Sequence, residues 1–376
     1  MLTGLGMATW VSRTPAIRDA LEASTAQMGL IIAGLSVGSM IGIATGGVLV
    51  ARRGARFVIA VGMLLILTGL AVIATGTVLA EGWVVAGGLA FFGAGMGAGE
   101  IGQNVEAVEL EVKVQRSIVA GLHGFYSLGV FVGGMIGLAA NALVVPVPMH
   151  LAVMLLIGLT TTLWLVRQLP ARTGTNRPSA SGAPTASPSG WLDSRLLALV
   201  AIILGMALAE GSANDWLPLI VVDGFGQAAT IGAVVYAFFG LTMAIGRFVG
   251  GAIIDRLGRA PVMRSSIIIA AVGIVIVITA PNVIVGALGV LLWGMGTSLG
   301  FPVALSSAGD DPIHAARRAS VVATAGYAAF LIGPPVLGFL GEQFGIRNAL
   351  LVVLVAVLAS LIFAGAVKPR TRQSRH

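Results

Sequence analysis

Eleven uninterrupted apolar runs, each of bilayer-spanning length, constrain this chain more than any other feature. They fall at roughly 26–50, 57–80, 83–107, 118–143, 149–169, 195–222, 228–253, 262–280, 283–307, 317–341 and 348–367. A span needs about 20 apolar residues in helical form, because only helices and closed barrels satisfy their backbone polar groups within lipid. With 376 residues, 57% of them hydrophobic and 10% charged, the chain has no room for a sizeable extramembrane domain, and a water-soluble enzyme is excluded. The expected fold class is an all-α polytopic membrane protein. A twelfth apolar stretch, Met1 to Val11, covers only about half of a 30 Å core, so the first helix reads as truncated, by a mis-set start or a deletion.

Charge placement sets the expected topology. Arg52, Arg53, Arg56, Lys113, Arg116, Arg167, Arg172, Arg177, Arg195, Arg256, Arg259, Arg264, Arg317, Arg318 and the tail from Lys368 to Arg375 share alternate loops, whereas Arg13, Arg18 and Arg347 lie on the other side. The bias puts the charged loops and both termini in the cytoplasm of an inner-membrane protein, and it reads the net charge of +7 as topology rather than nucleic-acid affinity. Cysteine is absent and the four histidines are scattered, so no metal site, disulfide or thiol nucleophile is expected, and no cofactor.

Pro170 to Gly190 is rich in Pro, Ser, Thr, Ala and Gly, and reads as a flexible tether. It divides the chain into an N-terminal bundle (1–169), a cytoplasmic linker (170–194), a C-terminal bundle (195–367) and a basic tail (368–376). The two bundles repeat each other. Gly42, Gly46, Gly47, Arg52 and Gly54 recur 204 positions later as Gly246, Gly250, Gly251, Arg256 and Gly258. Gly95-Met96-Gly97 is matched with Gly294-Met295-Gly296, and Tyr126 with Tyr327. The pattern predicts parallel six-helix repeats, with Gly47 over Gly251 and Gly95 over Gly294.

The loop Gly251-Ala-Ile-Ile-Asp255-Arg256-Leu-Gly258-Arg259 fits the pattern G-x-x-x-D-R-x-G-R, and with the six-plus-six repeat the chain resembles the major facilitator superfamily (MFS) of transporters over essentially its whole length. The N-terminal copy of the loop departs from that pattern, with Ala51 where the family has Asp. Gly99-Glu100-Ile-Gly-Gln103-Asn104-Val-Glu106-Ala-Val-Glu109, His123-Gly-Phe-Tyr-Ser-Leu-Gly129 and Glu210-Gly-Ser-Ala-Asn214-Asp215-Trp216 are similar to a permease branch related to fucose permeases. The resemblance implies an MFS fold, secondary active transport of a small solute by alternating access with protons as the coupling ion, no enzymatic activity, and function as a monomer in the bilayer. Proton-driven efflux of drugs or metabolites, or a transport-inactive sensor or fragment, remains open.

Carboxylates at membrane depth are the candidates for chemistry, since each costs at least about 2.5–3.5 kcal/mol there. Glu210, Glu100 and Asp215 qualify as proton-coupling residues, with His123 in the same depth layer as Glu100 as a proton-sharing partner. Gln103, Asn104, Tyr126, Asn214 and Trp216 lie beside them along the helices and are candidates for a substrate cavity. Asp255, Arg256 and Arg259, with Gly251, Gly258 and Arg247 two turns earlier, form a candidate cytoplasmic gate; the alternative is an ordinary topology-setting loop. Glu106, Glu109 and Glu111 are expected to pair with Arg52, Arg56 or Lys113. Pro302 and Gly333-Pro334-Pro335 are expected to interrupt their spans as hinges.

Overall fold

The computed structural model describes residues 1–114, 119–175, 193–311 and 314–369. The expected linker from 176 to 192, Arg116, Arg177 and residues 370–376 of the tail lie outside them. Among the described residues, eleven helices are long and apolar enough to cross a membrane, in the places the apolar runs predict. The chain enters through two short helices, α1 (Leu2–Val11) and α2 (Thr14–Ala20), so the incomplete first apolar stretch is continued by a second helical segment. There follow α3 (Thr25–Arg53), α4 (Ala55–Leu79), α5 (Gly82–Val114), α6 (Val119–Ala142) and α7 (Val147–Gln168). The later helices are α8 (Ser194–Phe225), α9 (Ala229–Leu257), α10 (Arg259–Thr279), α11 (Val283–Thr297), α12 (Gly300–Ala308), α13 (Ala315–Phe344) and α14 (Ile346–Phe363).

Helix starts follow from local chemistry. Ser24 and Gln27 close a reciprocal capping box on α3, Asp193 accepts from the Leu196 amide at 2.8 Å, and Asn282 accepts from two amides of α11. Large apolar side chains such as Ile284, Leu351 and Ile362 are left exposed on the outer faces, where lipid rather than water is the solvent. The first residues of the expected tether are not free. Thr173 accepts from the Ala55 amide at 2.8 Å, beneath the turn at Gly54, whose φ of 86° suits glycine. Gly258, at the corresponding turn, has nearly the same backbone, φ 81° and ψ 161° against 86° and 161°.

Helix crossings recur between the early and late helices, in a register that corrects one expected pairing. A Cβ added at Gly95 would press on the Gly62 oxygen and the Ile66 nitrogen; one at Gly296 would press on the Ser266 oxygen and the Ala270 nitrogen, each 204 positions on. Likewise Gly93 lies against the Leu35 oxygen and Gly294 against that of Phe239. Gly95 therefore corresponds to Gly296, and Gly294 to Gly93. A two-residue slip turns a helix by about 200°, so Gly95 and Gly294 present opposite faces despite their matching Gly-Met-Gly strings.

The prolines act differently from each other. The ninth long span breaks between α11 and α12 at Ser298 and Leu299, with Pro302 in the first turn of α12. Contrary to expectation, Pro334 and Pro335 do not interrupt α13. The carbonyl of Phe330, which Pro334 leaves without its helical donor, accepts the Ser36 hydroxyl of α3 at 2.7 Å.

The early and late helices meet along two seams, α3 with α13 and α6 with α9. In the first seam Gly29 lies so close to α13 that a Cβ would stand 2.6 Å from the Pro334 oxygen. The second stacks Phe125 edge-on to Phe248 and Phe131 edge-on to Phe238. At the end of the bundle that holds α2, polar ties join early helices to late ones. Arg18 pairs with Asp223, Asn141 donates to the Ala229 oxygen at 3.5 Å while accepting from Arg13 at 2.6 Å, and the Ala26 amide donates to Glu342 at 3.2 Å. Burial of Arg18 works against its charge, but hydrogen bonds to Asp223 and Asp19 outweigh this and raise its pKa above the ordinary arginine value.

At the arginine-rich end, ion pairs join the late helices to one another. Arg318, 1% exposed, makes a two-pronged bond to Asp193 at 2.9 Å on each nitrogen, and Asp310 receives Arg195 at 2.9 Å and Arg259 at 2.8 Å. Arg259 of the expected gate thus joins α10 to the end of α12. Asp255 is exposed and, among the described residues, makes no ion pair.

Candidate functional site

Between the seams lies a cavity of about 280 Å³, at the small end of ligand-binding pockets. Glu100, Gln103, Asn104, His123, Tyr126, Glu210, Asn214 and Asp215 line it, so eight of the nine residues expected for coupling or substrate contact share one space. They come from three helices, α5, α6 and α8, because each polar residue falls on the inward face of an otherwise apolar span. Trp216 does not line the cavity: its indole is fully buried in the packing of α8 and its nitrogen has no partner. Asn214, two residues earlier, turns inward and accepts from the Tyr236 hydroxyl at 3.4 Å.

Arg247 is the largest correction. Expected at a cytoplasmic gate, it lies in the cavity, and its side chain forms a 2.8 Å ion pair with Glu210, the two side chains being 7% and 10% exposed. The guanidinium also donates to the Ser127 hydroxyl at 2.7 Å and to the carbonyls of His123 and Ser298 at 3.4 Å. The Ser298 carbonyl is the one Pro302 leaves without its helical donor. One cation thus joins α8, α9, α6 and the break between α11 and α12. Arginine suits this hub, with five donors in a fixed planar fork and a charge that is never lost.

Glu100 and His123 both face the cavity, as does Tyr327 of α13, and no hydrogen bond joins Glu100 to His123 among the described residues. Tyr126 and Tyr327, matched in the sequence as repeat mates, both line the cavity. Apolar surface comes from Met7, Met40, Met96, Phe301 and Phe330. Of the acidic cluster at the end of α5, Glu109 meets Lys113 at 3.9 Å, while Glu106 keeps a buried oxygen without a partner and pairs with neither Arg52 nor Arg56. Arg56 donates instead to the Leu169 carbonyl at 3.4 Å.

Sequence reasoning missed Arg247 as a cavity residue, and with it Ser127, Ser36 and Tyr327 as connectors. The signal for Arg247 was present: an arginine two turns inside an apolar helix carries the same desolvation cost as a carboxylate and needs a partner. Chemically, the site offers an acid–base pair, further carboxyls, amides and aromatic faces, enclosed by helices that meet edge to edge. Among the described residues no cluster suited to a metal ion is present.

A family model described as Major Facilitator Superfamily matches residues 1–327. An uncharacterised MFS-type transporter from Yersinia pestis is 29% identical over 372 residues, covering 97% of this chain and 93% of that protein. Membrane protein MosC from Rhizobium meliloti is 25% identical over 376 residues, covering 96% and 88%. Among solved structures, the xylose transporter XylE from Escherichia coli, partially occluded and inward open, has a TM-score of 0.73 at 14% identity, covering 96% of this chain and 93% of that one. The Escherichia coli fucose:proton symporter FucP has a TM-score of 0.63 at 19% identity, covering 98% and 97%. At these identities the structural likeness is one of fold.

Proposed function

This chain belongs to the Major Facilitator Superfamily, and we propose that it is a proton-coupled permease for a small polar solute, with Glu210 and Arg247 as the coupling pair. As a family member it is a transporter and not an enzyme, and it moves its solute across the inner membrane by secondary active, alternating-access transport. The proposal adds the architecture: parallel six-helix bundles at 1–169 and 195–367, a linker at 170–194, a basic tail and cytoplasmic termini. The recurring helix crossings and the loop arginines support it. In that orientation the α2 end faces outward and is tied shut, while Gln103, Asn104 and Leu305 carry the cavity toward the cytoplasm. Completeness of the cavity within one chain supports action as a monomer.

The observation that carries the proposal is the buried ion pair itself. A proton on Glu210 removes one charge, leaving Arg247 held by Ser127 and two carbonyls, and so changes how α8 is tied to α6 and α9. Loss of that proton to the other side restores the pair. A carboxyl whose partner is also a link between helices therefore converts protonation into movement. Proton coupling in FucP and XylE, both named as proton symporters, favours the same ion here. Asp255, Arg256 and Gly251 would then form the inner latch of the opposite state, consistent with Asp255 standing unpaired in this one. The test is Glu210→Gln in proteoliposomes with an imposed pH gradient. Solute identified by a stabilisation screen should still bind and exchange but no longer accumulate; accumulation equal to wild type would refute the assignment.

A further inference from the structure

Asp215 has no part in the coupling pair. It is 4% exposed, it lines the cavity, and among the described residues it makes no hydrogen bond or ion pair. The charge balance around it is uneven. Glu100, Glu210 and Asp215 face the cavity together with His123 and Met1, and the guanidinium there, Arg247, is taken by Glu210. Asp215, at 4% exposure, is an acceptor without a donor among the described residues. A buried carboxylate is held at membrane depth only with a proton, a cation or several donors. Among the described residues Asp215 has neither a cation nor a donor, and its carboxyl lines the cavity, where a solute can reach it.

We propose that Asp215 binds an ammonium group on the transported solute, so that the substrate class is a small hydroxylated amine rather than a neutral sugar or an organic anion. Gln103, Asn104 and Asn214 offer amides for the hydroxyls. Tyr126, which lines the cavity, adds an electron-rich ring face that favours a cation. An anionic solute would meet three carboxyls and a guanidinium already engaged. The assignment rests on the reading of this cavity as the transport site, but not on proton coupling.

Equilibrium binding to purified protein in detergent, at one pH and without a gradient, tests it. The probes are D-glucosamine, D-glucose and N-acetyl-D-glucosamine, with ethanolamine and ethylene glycol as a smaller matched pair, read by the thermal unfolding midpoint and by titration. The amine of a pair should bind at least tenfold more tightly than its neutral counterparts. Asp215→Asn should erase that preference without changing the weak affinity for D-glucose, and Asp215→Glu should keep most of it. Equal binding of amine and neutral probes, absence of binding by both amines, or an undiminished preference in Asp215→Asn would each overturn the assignment. Should Asp215→Asn fail to fold, the wild-type comparison decides alone. A neutral solute that accumulates on a pH gradient would remove the ammonium site and keep the coupling pair; an amine bound through Asp215 but indifferent to the gradient would do the reverse.

Discussion

Replacing Arg247 by methionine separates a structural ion pair from a decorative one. The side chains of Arg247 and Glu210 are 7% and 10% exposed, so neither has water to fall back on. Removing one member of a buried pair costs about 3–5 kcal/mol, because the survivor keeps its desolvation cost without its attraction. Ser127 loses a 2.7 Å bond but lies within 3.4 Å of the His123 carbonyl, so its share is small; the Ser298 carbonyl has no helical donor to return to and adds about 1 kcal/mol or more. Arg247→Met should therefore lose about 4–6 kcal/mol of unfolding free energy by these estimates, measured by SDS titration of tryptophan fluorescence in mixed micelles. Adding Glu210→Met removes the stranded carboxyl and should recover all but about 1–2 kcal/mol, since buried pairs are worth little more than apolar groups of their size. Transport should stay lost in the double variant. A single variant within about 1 kcal/mol of wild type, or a double variant no better than the single, would refute the reasoning.

Other perturbations follow from the same geometry. Asp193→Ala removes both the cap of α8 and the two-pronged partner of Arg318; with Asp311 still 3.9 Å away, a loss of about 3 kcal/mol is expected in the same titration. Gly29→Ala places a Cβ 2.6 Å from the Pro334 oxygen and should prise the α3–α13 seam apart. The chain has no native cysteine, so a single Asn214→Cys reports directly; its labelling by an impermeant maleimide from the α2 side should rise roughly fivefold, the ratio for about 1 kcal/mol. Asp255→Asn should reduce uptake far more than Ala51→Asp changes it, since Asp255 alone of the two carries a carboxyl for a state-dependent latch, and equal, negligible effects on initial rates would leave the loop a topology signal.

What the sequence made legible was the part governed by the solvent. Spans, charge bias and the polar residues at depth are each dictated by lipid one helix at a time, which is why Glu100, Glu210 and Asp215 were found without knowing which helices touch. Which faces meet was less accessible. Gly95 was matched to Gly294 because strings carry no azimuth, and Trp216 was grouped with Asn214 although two residues on a helix are a rotation of about 200°. Arg18 with Asp223 and Arg13 with Asn141 join positions 205 and 128 residues apart, and no local pattern announces such ties. Arg247 was misread for another reason: its nearness to a recognisable loop motif drew it toward the membrane surface, when its cost at depth argued for a partner inside.

The two proline-freed carbonyls have a consequence for how this molecule could be retuned. Ser36 and Arg247 each grip a backbone oxygen that is vacant only because a proline stands four residues further along the neighbouring chain segment. Neither Pro334 nor Pro302 needs to touch the group it serves. A change of either proline to an ordinary residue would let the helix reclaim its own oxygen and silence the handhold, with both gripping side chains untouched. The grip between moving parts is thereby written in a different place from the parts themselves, and drift at a position that contacts nothing polar can reset the balance between the open and closed forms.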